Sequence, residues 1–441
     1  MQSANYAVNF FAGIVAAGLM VVVACSSVQA ELTGEEVLQW VVDIKPEGIA
    51  VTGIVQNAQA ADVNRWTADL IRNVEISVVK TAENLEFRYA APVDQEVFLE
   101  TQHPVLNGRQ FCGFGQHLLV FPELKHRAFE QYVLTLNYPE DWTLVTSLGV
   151  NRRVIKVDRF EDLRGLMICA GDYAFEEFTL PNRTKASPTR YVLALHGERT
   201  FEDAVYFGKM KKVVEAQVAY FGGDHPAPVQ AIALHILGKG IRPSIPGFNR
   251  RAPGHDSILG VHNNARPWGH FEFFGMLSHE HMHNWFPNVL QSDLGPWFME
   301  GLNDYVAYSI LFDNGLHTME QYVGMLNKWY KEYLWCLSRD ETPLMPYRRG
   351  MIAAWIMEVE IERATDNQKG LKNLLEHLLV NTPKNQRVTR DKFVAALQSL
   401  LGESAEDLYV RLIESAEPIP LAEYLKKSSY TMVQGKIRME E

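Results

Sequence analysis

The chain has 441 residues, of which 47% are hydrophobic and 11% aromatic. This composition supports large buried cores and excludes a disordered or fibrous protein, and at about 100–200 residues per domain the length predicts two to four domains. Acidic residues outnumber basic residues by 53 to 42, for a net charge of −11. That charge argues against nucleic acid as a partner, because its phosphates require a basic protein face.

Residues 1–30 are predicted to be a signal segment rather than part of the fold. Residues 10–24 form an unbroken run of apolar and small side chains, which is short for a transmembrane helix and resembles the apolar core of a secretory signal. Residues 1–9 contain no Lys or Arg, although such signals usually begin with positive charge. A membrane-anchoring helix and a misplaced start codon therefore stay open as alternatives.

Two processing sites fit this segment. The sequence VVAC, which ends at Cys25, resembles a bacterial lipobox, in which the cysteine is acylated and attaches the chain to a membrane. The sequence VQA, which ends at Ala30, fits an ordinary signal peptidase. The sequence thus predicts an exported bacterial protein, either periplasmic or a membrane-anchored lipoprotein.

Residues 31–184 are predicted to form an antiparallel β-sandwich. β-forming side chains alternate or cluster in residues 75–79, 132–136 and 153–157, and Pro, Gly, Asn and Asp separate these runs. The polar, proline-containing stretch 181–189 marks the predicted domain boundary.

The four cysteines do not form a CxxC pair, which argues against a cysteine-based zinc or redox site. Cys112 and Cys169 could form a disulfide in an oxidising compartment. Two buried free thiols fit the sequence equally well, so the pairing stays open at this level.

After residue 185 the hydrophobic pattern changes to that of helices. The sequence predicts a helix over 201–221, a buried strand over 230–237, and an irregular loop region over 238–267 that is rich in Gly, Pro, Asn and Arg. Further helices are predicted over residues 271–284, 296–312, 319–335, 351–365, 369–379 and 390–401. Strands followed by helices predict the α+β class.

The sequence HExxH at residues 279–283 is the strongest chemical signal in the chain. On a helix, positions i and i+4 share a face, so His279 and His283 can present two imidazoles to one ion. A zinc ion acidifies water, and Glu280 can accept the proton. His281 lies on another face of the helix and is predicted to be a packing or surface residue rather than a ligand.

A third ligand is predicted downstream. Glu300 lies seventeen positions beyond His283, in the first turn of an apolar helix, and a turn between the two helices can return it to the histidines. Asp304, four residues further on, could hydrogen-bond a ligand imidazole. Two imidazoles and a carboxylate favour zinc, with one ion per chain. Alone, Glu300 could instead be a carboxylate that stabilises a helix N-terminus.

Three segments carry a resemblance to a known family. They are His279-Glu280-x-x-His283-x-Trp285, Trp297-x-x-Glu300-Gly301 and Tyr347-Arg-Arg-Gly350. In this order they resemble the gluzincin metallopeptidases, most closely the glycyl aminopeptidase family and more distantly the aminopeptidase N family. The resemblance implies an N-terminal antiparallel β-sandwich at 31–184, a thermolysin-like catalytic domain at 185–330 and a helical C-terminal domain at 331–441.

By matched position, the resemblance makes His279, His283 and Glu300 the zinc ligands and Glu280 the general base. It also makes Tyr347 the residue that stabilises the tetrahedral oxyanion, a role that a phenol hydroxyl can perform by donating to the developing charge. Without the resemblance, Tyr347 would be interpreted as a loop tyrosine that caps a helix.

Three departures from the family affect specificity. The family has a Gly-Leu-Glu-His-type motif whose Glu binds the substrate's free amino group, whereas the best local match here has Gly254 in that place; Asp256 could substitute. The spacing from His283 to Glu300 is shorter than is usual, and the chain stops too soon after residue 421 to hold the family's frequent PDZ domain. Exopeptidase and endopeptidase activity therefore both stay open.

The sequence predicts a zinc-dependent peptidase, aminopeptidase-like, that acts on peptide or protein substrates. One alternative is a catalytically degenerate, zinc-bearing lipoprotein for binding or assembly, although the intact Glu280 argues against it. Another is a hydrolase of a non-peptide amide or an epoxide with the same zinc site.

Overall fold

The computed structural model describes most of the chain after residue 36. The described residues are 37–56, 63–67, 75–80, 84–93, 104–125, 128–183, 185–198, 202–223, 225, 227–237, 247–252, 255–263, 269–286, 288–339, 345–383, 386–426, 428, 430–433 and 436–439. The predicted signal segment, with Cys25 and Ala30, lies outside them. Within these ranges no helix has the length and apolar character needed to span a membrane.

Strands occupy most of the first half of the described chain. They are β1 Val37–Lys45, β2 Gly48–Gln56, β3 Val63–Thr67, β4 Ser77–Lys80, β5 Asn84–Ala91, β6 Val105–Asn107, β7 Gln110–Phe114, β8 Phe121–Leu124, β9 Gln131–Asn137, β10 Thr143–Thr146, β11 Gly149–Val150, β12 Val154–Val157, β13 Met167–Gly171, β14 Ala174–Leu180, β15 Thr189–Gly197, β16 Val229–Leu237, β17 Gly247–Ala252, β18 His255–Asn263, β19 Tyr430–Val433 and β20 Lys436–Met439.

Helices dominate the second half. They are α1 Phe160–Arg164, α2 Asp203–Tyr220, α3 Gly269–Met282, α4 Asn303–Asp313, α5 Met319–Leu337, α6 Met345–Ala364, α7 Leu371–Asn381, α8 Arg390–Leu401, α9 Ser404–Tyr409 and α10 Leu421–Leu425. A 3₁₀ turn covers Gly115–His117, and π-helical turns cover Trp297–Leu302 and Val410–Glu414. The protein is therefore α+β, as the sequence predicts.

The N-terminal part is a β-sandwich of two sheets. The six-stranded sheet has the order β12-β9-β1-β2-β5-β4 and the five-stranded sheet the order β11-β10-β13-β7-β6. All neighbours in these two sheets are antiparallel except β1 and β9, which run parallel. Alternate residues of β1 are buried, and Trp40 among them packs with Phe87 and Phe111 in the core between the sheets. Period-two burial is the physical basis of the alternation in the sequence.

A third sheet, of order β14-β15-β16-β18-β17, follows the sandwich. Its central strands β15, β16 and β18 are parallel, and its edge strands β14 and β17 are antiparallel to their neighbours. Both faces are covered: Val192 and Ala231 pack toward the five-stranded sheet, whereas Leu193 and Ile232 pack toward the helices. Burial on both faces explains why β15 and β16 are nearly continuous apolar runs.

The irregular loop predicted over 238–267 contains two strands, β17 and β18, so that prediction was wrong over these residues. β17 is an edge strand with the polar sequence GFNRRA, and an edge strand does not need the apolar alternation by which strands are detected.

Cys112 and Cys169 form a disulfide. They lie directly opposite each other on the antiparallel strands β7 and β13, on the face that packs against the third sheet. Cys336 is a free, buried thiol. The structure thus decides a pairing that the sequence left open, while the division into domains at 184 and 330 stays a prediction.

Candidate metal and catalytic centre

The HExxH residues occupy the last turn of α3 and the residue that follows it, on a helix with a buried apolar face. Phe273, Phe274 and Leu277 of this helix belong to the core beneath the third sheet. His279 and His283 remain partly exposed, each with 15% of its side chain accessible. Their ring centroids are 4.7 Å apart, as expected for positions one helical turn apart.

The structure brings Glu300 back beside both histidines. Its Oε2 lies 3.2 Å from His279 Nε2 and 3.7 Å from His283 Nε2, and one ligand atom from each of the three residues lies within 4.8 Å of the others. With zinc–ligand bonds of about 2.0–2.1 Å in tetrahedral geometry, neighbouring ligand atoms are about 3.3 Å apart. The observed spacing fits that requirement.

The far nitrogens of both rings are held by acceptors. His279 Nδ1 lies 2.6 Å from Asp304 Oδ1, and His283 Nδ1 lies 2.6 Å from the Phe286 carbonyl oxygen. A carbonyl oxygen can only accept, so His283 Nδ1 donates and a neutral His283 ring presents its lone pair at Nε2, toward Glu300. Asp304 orients His279 in the same way. The donor chemistry therefore suits a zinc ion between the two Nε2 atoms and Glu300.

The carboxylate of Glu300 projects from the π-helical turn Trp297–Leu302, which runs directly into α4. Helix α6 crosses this turn at two glycines: a Cβ added to Gly301 would lie 2.5 Å from the Tyr347 carbonyl oxygen and 2.7 Å from Gly350 Cα. No side chain fits in that space. The glycine pair lets the two backbones approach closely enough to bring Tyr347 beside Glu300.

Glu280 is buried, and its pKa is raised to about 7. Burial is the largest cause; the nearby His279 opposes it, and the charges of Glu300 and Asp304 add to it. Without a bound cation, burial favours the protonated form of this carboxyl, so it accepts a proton readily and can return it. This is the property required of a general base that also delivers a proton to a leaving group.

The phenol of Tyr347 stays protonated over a wide pH range. Its pKa is raised by partial burial and by the charges of Glu300 and Asp304. Because these carboxylates repel a phenolate, the hydroxyl keeps its proton and can donate a hydrogen bond to a developing negative charge. Tyr347 lies near the start of α6 and is partly exposed, so a substrate could reach it.

The two histidines titrate differently when no cation is bound. Burial opposes a charge on His279, but Asp304 and Glu300 outweigh burial and raise its pKa. Burial and the neighbouring His279 lower the pKa of His283 to about 4. A cation that binds here competes with protonation of His279, so cation binding should weaken as the pH falls.

The remaining predicted residues have different surroundings. Asp256 is fully buried at the start of β18, in register with Gln230 of β16, so it would have to become exposed to meet a substrate. Gly254 lies outside the described residues. His281 is buried, and its Nδ1 lies 2.5 Å from Gln217 Oε1 on α2, which agrees with a packing role.

Sequence reasoning missed three contacts around the centre. The Phe286 carbonyl holds His283, the Asn303 amide donates to the His279 carbonyl oxygen at 3.2 Å, and Arg348 forms an ion pair with Asp304. A backbone acceptor leaves no signal in a sequence. Arg348, next to Tyr347, is a residue whose contact depends on how α4 and α6 pack.

Comparison with protein-family models gives no match, and no curated protein matches the sequence. Among solved structures, the chain is similar to an aminopeptidase N family protein from Idiomarina loihiensis, with 13% identity and a TM-score of 0.66 over 90% of this chain and 78% of that chain. It is also similar to an M1 zinc metallopeptidase from Deinococcus radiodurans, with 14% identity and a TM-score of 0.49 over 88% of this chain and 95% of that chain.

The similarity to the Idiomarina loihiensis protein supports a conclusion about the fold. It gives the chain an aminopeptidase N-like fold, with a β-rich N-terminal part and a helical C-terminal part. This agrees with the broader resemblance to gluzincin metallopeptidases that the sequence predicts. The closer resemblance to the glycyl aminopeptidase family stays a prediction.

Proposed function

We propose that this protein is a zinc-dependent peptidase, with one zinc ion held by His279, His283 and Glu300. The observation that carries the proposal is the convergence of these three donors from two helices, with the buried carboxyl of Glu280 beside them. A carboxyl with a raised pKa next to a zinc-type donor set is costly to keep in a purely structural site. A hydrolase of this kind, by contrast, requires a carboxylate there to accept a proton from water.

When bound, zinc would acidify a water molecule and polarise the carbonyl of the scissile bond. Glu280 accepts the proton as the water oxygen attacks the carbonyl carbon. Tyr347 donates a hydrogen bond to the carbonyl oxygen as negative charge develops there. The C–N bond then breaks, and Glu280 returns the proton to the leaving nitrogen, which yields a carboxylic acid and an amine.

The residues behind the ligands prepare the site for this chemistry. Asp304 and the Phe286 carbonyl keep both Nδ1–H groups engaged, which holds both Nε2 atoms toward the ion. Because these groups are already oriented before substrate binds, little reorganisation is needed during the reaction.

The substrates that we propose are peptides or proteins, because the ordered motif segments resemble those of metallopeptidases. An aminopeptidase must bind a free amino group, and the carboxylate that we propose for this is Asp256. Its burial means that the amine could reach it only after a local rearrangement. We further propose that the chain is exported, with Cys25 acylated or with cleavage after Ala30.

A peptide-library experiment tests the function and separates its two forms. The chain from Ser26 onward is incubated with zinc and a mixed peptide library, free and N-acetylated, and products are identified by mass spectrometry, with Glu280→Gln as control. Single residues released from free N-termini alone would support an aminopeptidase. Internal cuts that persist in acetylated peptides would support an endopeptidase.

Zinc binding without any product above the Glu280→Gln control would refute the peptidase. It would favour a zinc-bearing binding lipoprotein, or a hydrolase of a non-peptide amide.

A further inference from the structure

Arg348 lies beside the proposed active-site tyrosine, but its side chain contacts two acids instead of solvent. Its Nη1 lies 3.6 Å from Asp304 Oδ2 on α4 and donates to Met351 Sδ at 3.1 Å, and its Nε lies 2.5 Å from Glu332 Oε2 on α5. The contacts with the two acids are ion pairs rather than hydrogen bonds. The side chain is 17% exposed and that of Asp304 is 16% exposed. Charges this poorly hydrated require partners, and the interaction between them is screened less by salt than that of a surface pair.

The two oxygens of Asp304 have different partners. Oδ1 accepts from His279 Nδ1 at 2.6 Å, and Oδ2 faces Arg348. A row of alternating charges therefore runs from Glu332 through Arg348 and Asp304 to the ring of His279. Four helices, α5, α6, α4 and α3, contribute one residue each, and the row ends at the proposed zinc ligands.

We infer that Arg348 is a positioning residue that acts on the proposed zinc site through Asp304. The inference rests on the proposed function, because it assigns His279 as a ligand. An aspartate carboxylate rotates readily about its last torsion. With Arg348 on Oδ2, rotation separates an ion pair, so Oδ1 stays aimed at His279 and the ring stays aimed at the ion.

A guanidinium suits this role better than an ammonium does. Arg348 contacts Asp304 through Nη1 and Glu332 through Nε, which are separate nitrogens of one rigid plane. Lysine has one flexible point charge and cannot place a separate nitrogen beside each acid. Arg348→Lys should therefore restore part, but not all, of what Arg348→Gln loses.

The neighbouring Arg349 provides a matched control. It lies on the same helix, and its guanidinium donates to the carbonyl oxygens of Leu412 at 2.7 Å, Arg411 at 3.2 Å and Glu417 at 3.2 Å. These contacts anchor α6 to the C-terminal region. Arg349→Gln thus removes an arginine of similar depth without touching Asp304.

The test measures zinc affinity by competition with a chromogenic chelator, so it does not depend on turnover. Loss of a residue that supports a ligand costs about 10–100-fold in metal affinity. Arg348 contacts Asp304 and not a proposed ligand itself, so we expect a smaller effect. Arg348→Gln should weaken zinc binding about 3–10-fold. Arg349→Gln should keep zinc affinity within about twofold, even if its thermal midpoint falls, because Arg349 contacts the carbonyls of the C-terminal region and neither Asp304 nor a proposed ligand.

A double-mutant cycle separates positioning from general damage. If Arg348 acts through Asp304, Arg348→Gln should cause little further loss of zinc affinity in an Asp304→Asn background. Additive losses, or equal losses from Arg348→Gln and Arg349→Gln, would overturn the inference. Arg348→Lys keeps the test valid if Arg348→Gln folds poorly, as circular dichroism would show.

The outcomes for this inference and for the peptidase are distinguishable. Normal turnover and zinc affinity in Arg348→Gln would refute the positioning role and leave the peptidase standing. If the double-mutant cycle showed that Arg348 and Asp304 are coupled in zinc affinity, but the unmodified chain had no turnover, the peptidase alone would be refuted. Failure of the unmodified chain to bind zinc would refute both.

Discussion

Helix α6 and the π-helical turn cross closely at Gly301 and Gly350. Adding one methyl group at Gly350 should therefore lower activity, although Gly350 is neither a proposed ligand nor a proposed catalytic residue. In Gly350→Ala, the new Cβ would lie closest to the Trp297 carbonyl oxygen, 2.9 Å from Trp297 Cα and 3.0 Å from Gly301 Cα, whereas ordinary contacts are 3.4–4 Å. The backbones of α6 and the π-helical turn must therefore separate by at least about 0.5 Å. Glu300 lies on one of these segments and Tyr347 on the other, so their relative position must change.

The expected cost has two parts. Overpacking a buried contact destabilises by about 1–3 kcal/mol, and replacing a helical glycine with alanine regains about 0.5–1 kcal/mol. The free energy of unfolding should therefore fall by up to about 2.5 kcal/mol. A displacement of about 1 Å in a catalytic group can cost 100-fold in rate, so kcat should fall by about 10–100-fold.

Gly324→Ala is the matched control. Gly324 lies within α5, and a Cβ there would meet nothing within 4 Å. This variant should unfold at a slightly higher urea concentration than the unmodified chain and keep its kcat, because helix propensity alone changes. The assays are urea unfolding followed by circular dichroism and steady-state cleavage of the best library peptide. If Gly350→Ala matched Gly324→Ala in both, the reasoning from the crossing would be refuted.

Further predictions concern the proposed base, the oxyanion donor, pH and the disulfide. Glu280→Gln should retain zinc by chelator competition but lose at least about 100-fold in kcat, and equal loss of zinc would contradict its role as a base rather than a ligand. Tyr347→Phe should lower kcat about 100–1,000-fold with little change in KM; a change confined to KM would indicate substrate binding instead. Glu280 acts in its deprotonated form. Its pKa is about 7 without a metal, and a bound cation lowers that pKa. The plot of kcat against pH should therefore rise with pH in a range below pH 7. The raised pKa of Tyr347 should keep any loss of activity that is due to its ionisation above pH 10, and earlier alkaline loss that Tyr347→Phe abolishes would contradict this. Replacing Cys112 and Cys169 by alanine opens a crosslink between residues 57 positions apart, which should cost about 4 kcal/mol of unfolding free energy, and unchanged urea unfolding would contradict the crosslink.

Much of the centre could be predicted because it depends on local geometry. Two histidines four residues apart must share a helical face, so His279 and His283 were paired without knowledge of the fold. Glu300 was found because an apolar helix that carries a single Glu follows a turn after the HExxH helix. Asp304 was found by the same spacing rule, and its 2.6 Å contact with His279 agrees with that expectation.

Other features depend on segments that are distant in sequence. Cys112 and Cys169 are joined because β7 and β13 are neighbours in register, and register is determined by the whole sheet. Arg348 meets Asp304 because α6 packs against α4 and the preceding π-helical turn at a glycine crossing. No periodicity in the sequence encodes either contact.

The amino-acid sequence by itself determined the α+β class and the helical segment that presents His279, Glu280 and His283, because burial period and helical pitch act over a few residues. Tertiary structure alone decided that Asp256 is buried and that a charged row supports His279. It also decided that a glycine pair sets Tyr347 against Glu300. These features arise from packing between whole elements, where a contact depends on the position of both partners in space.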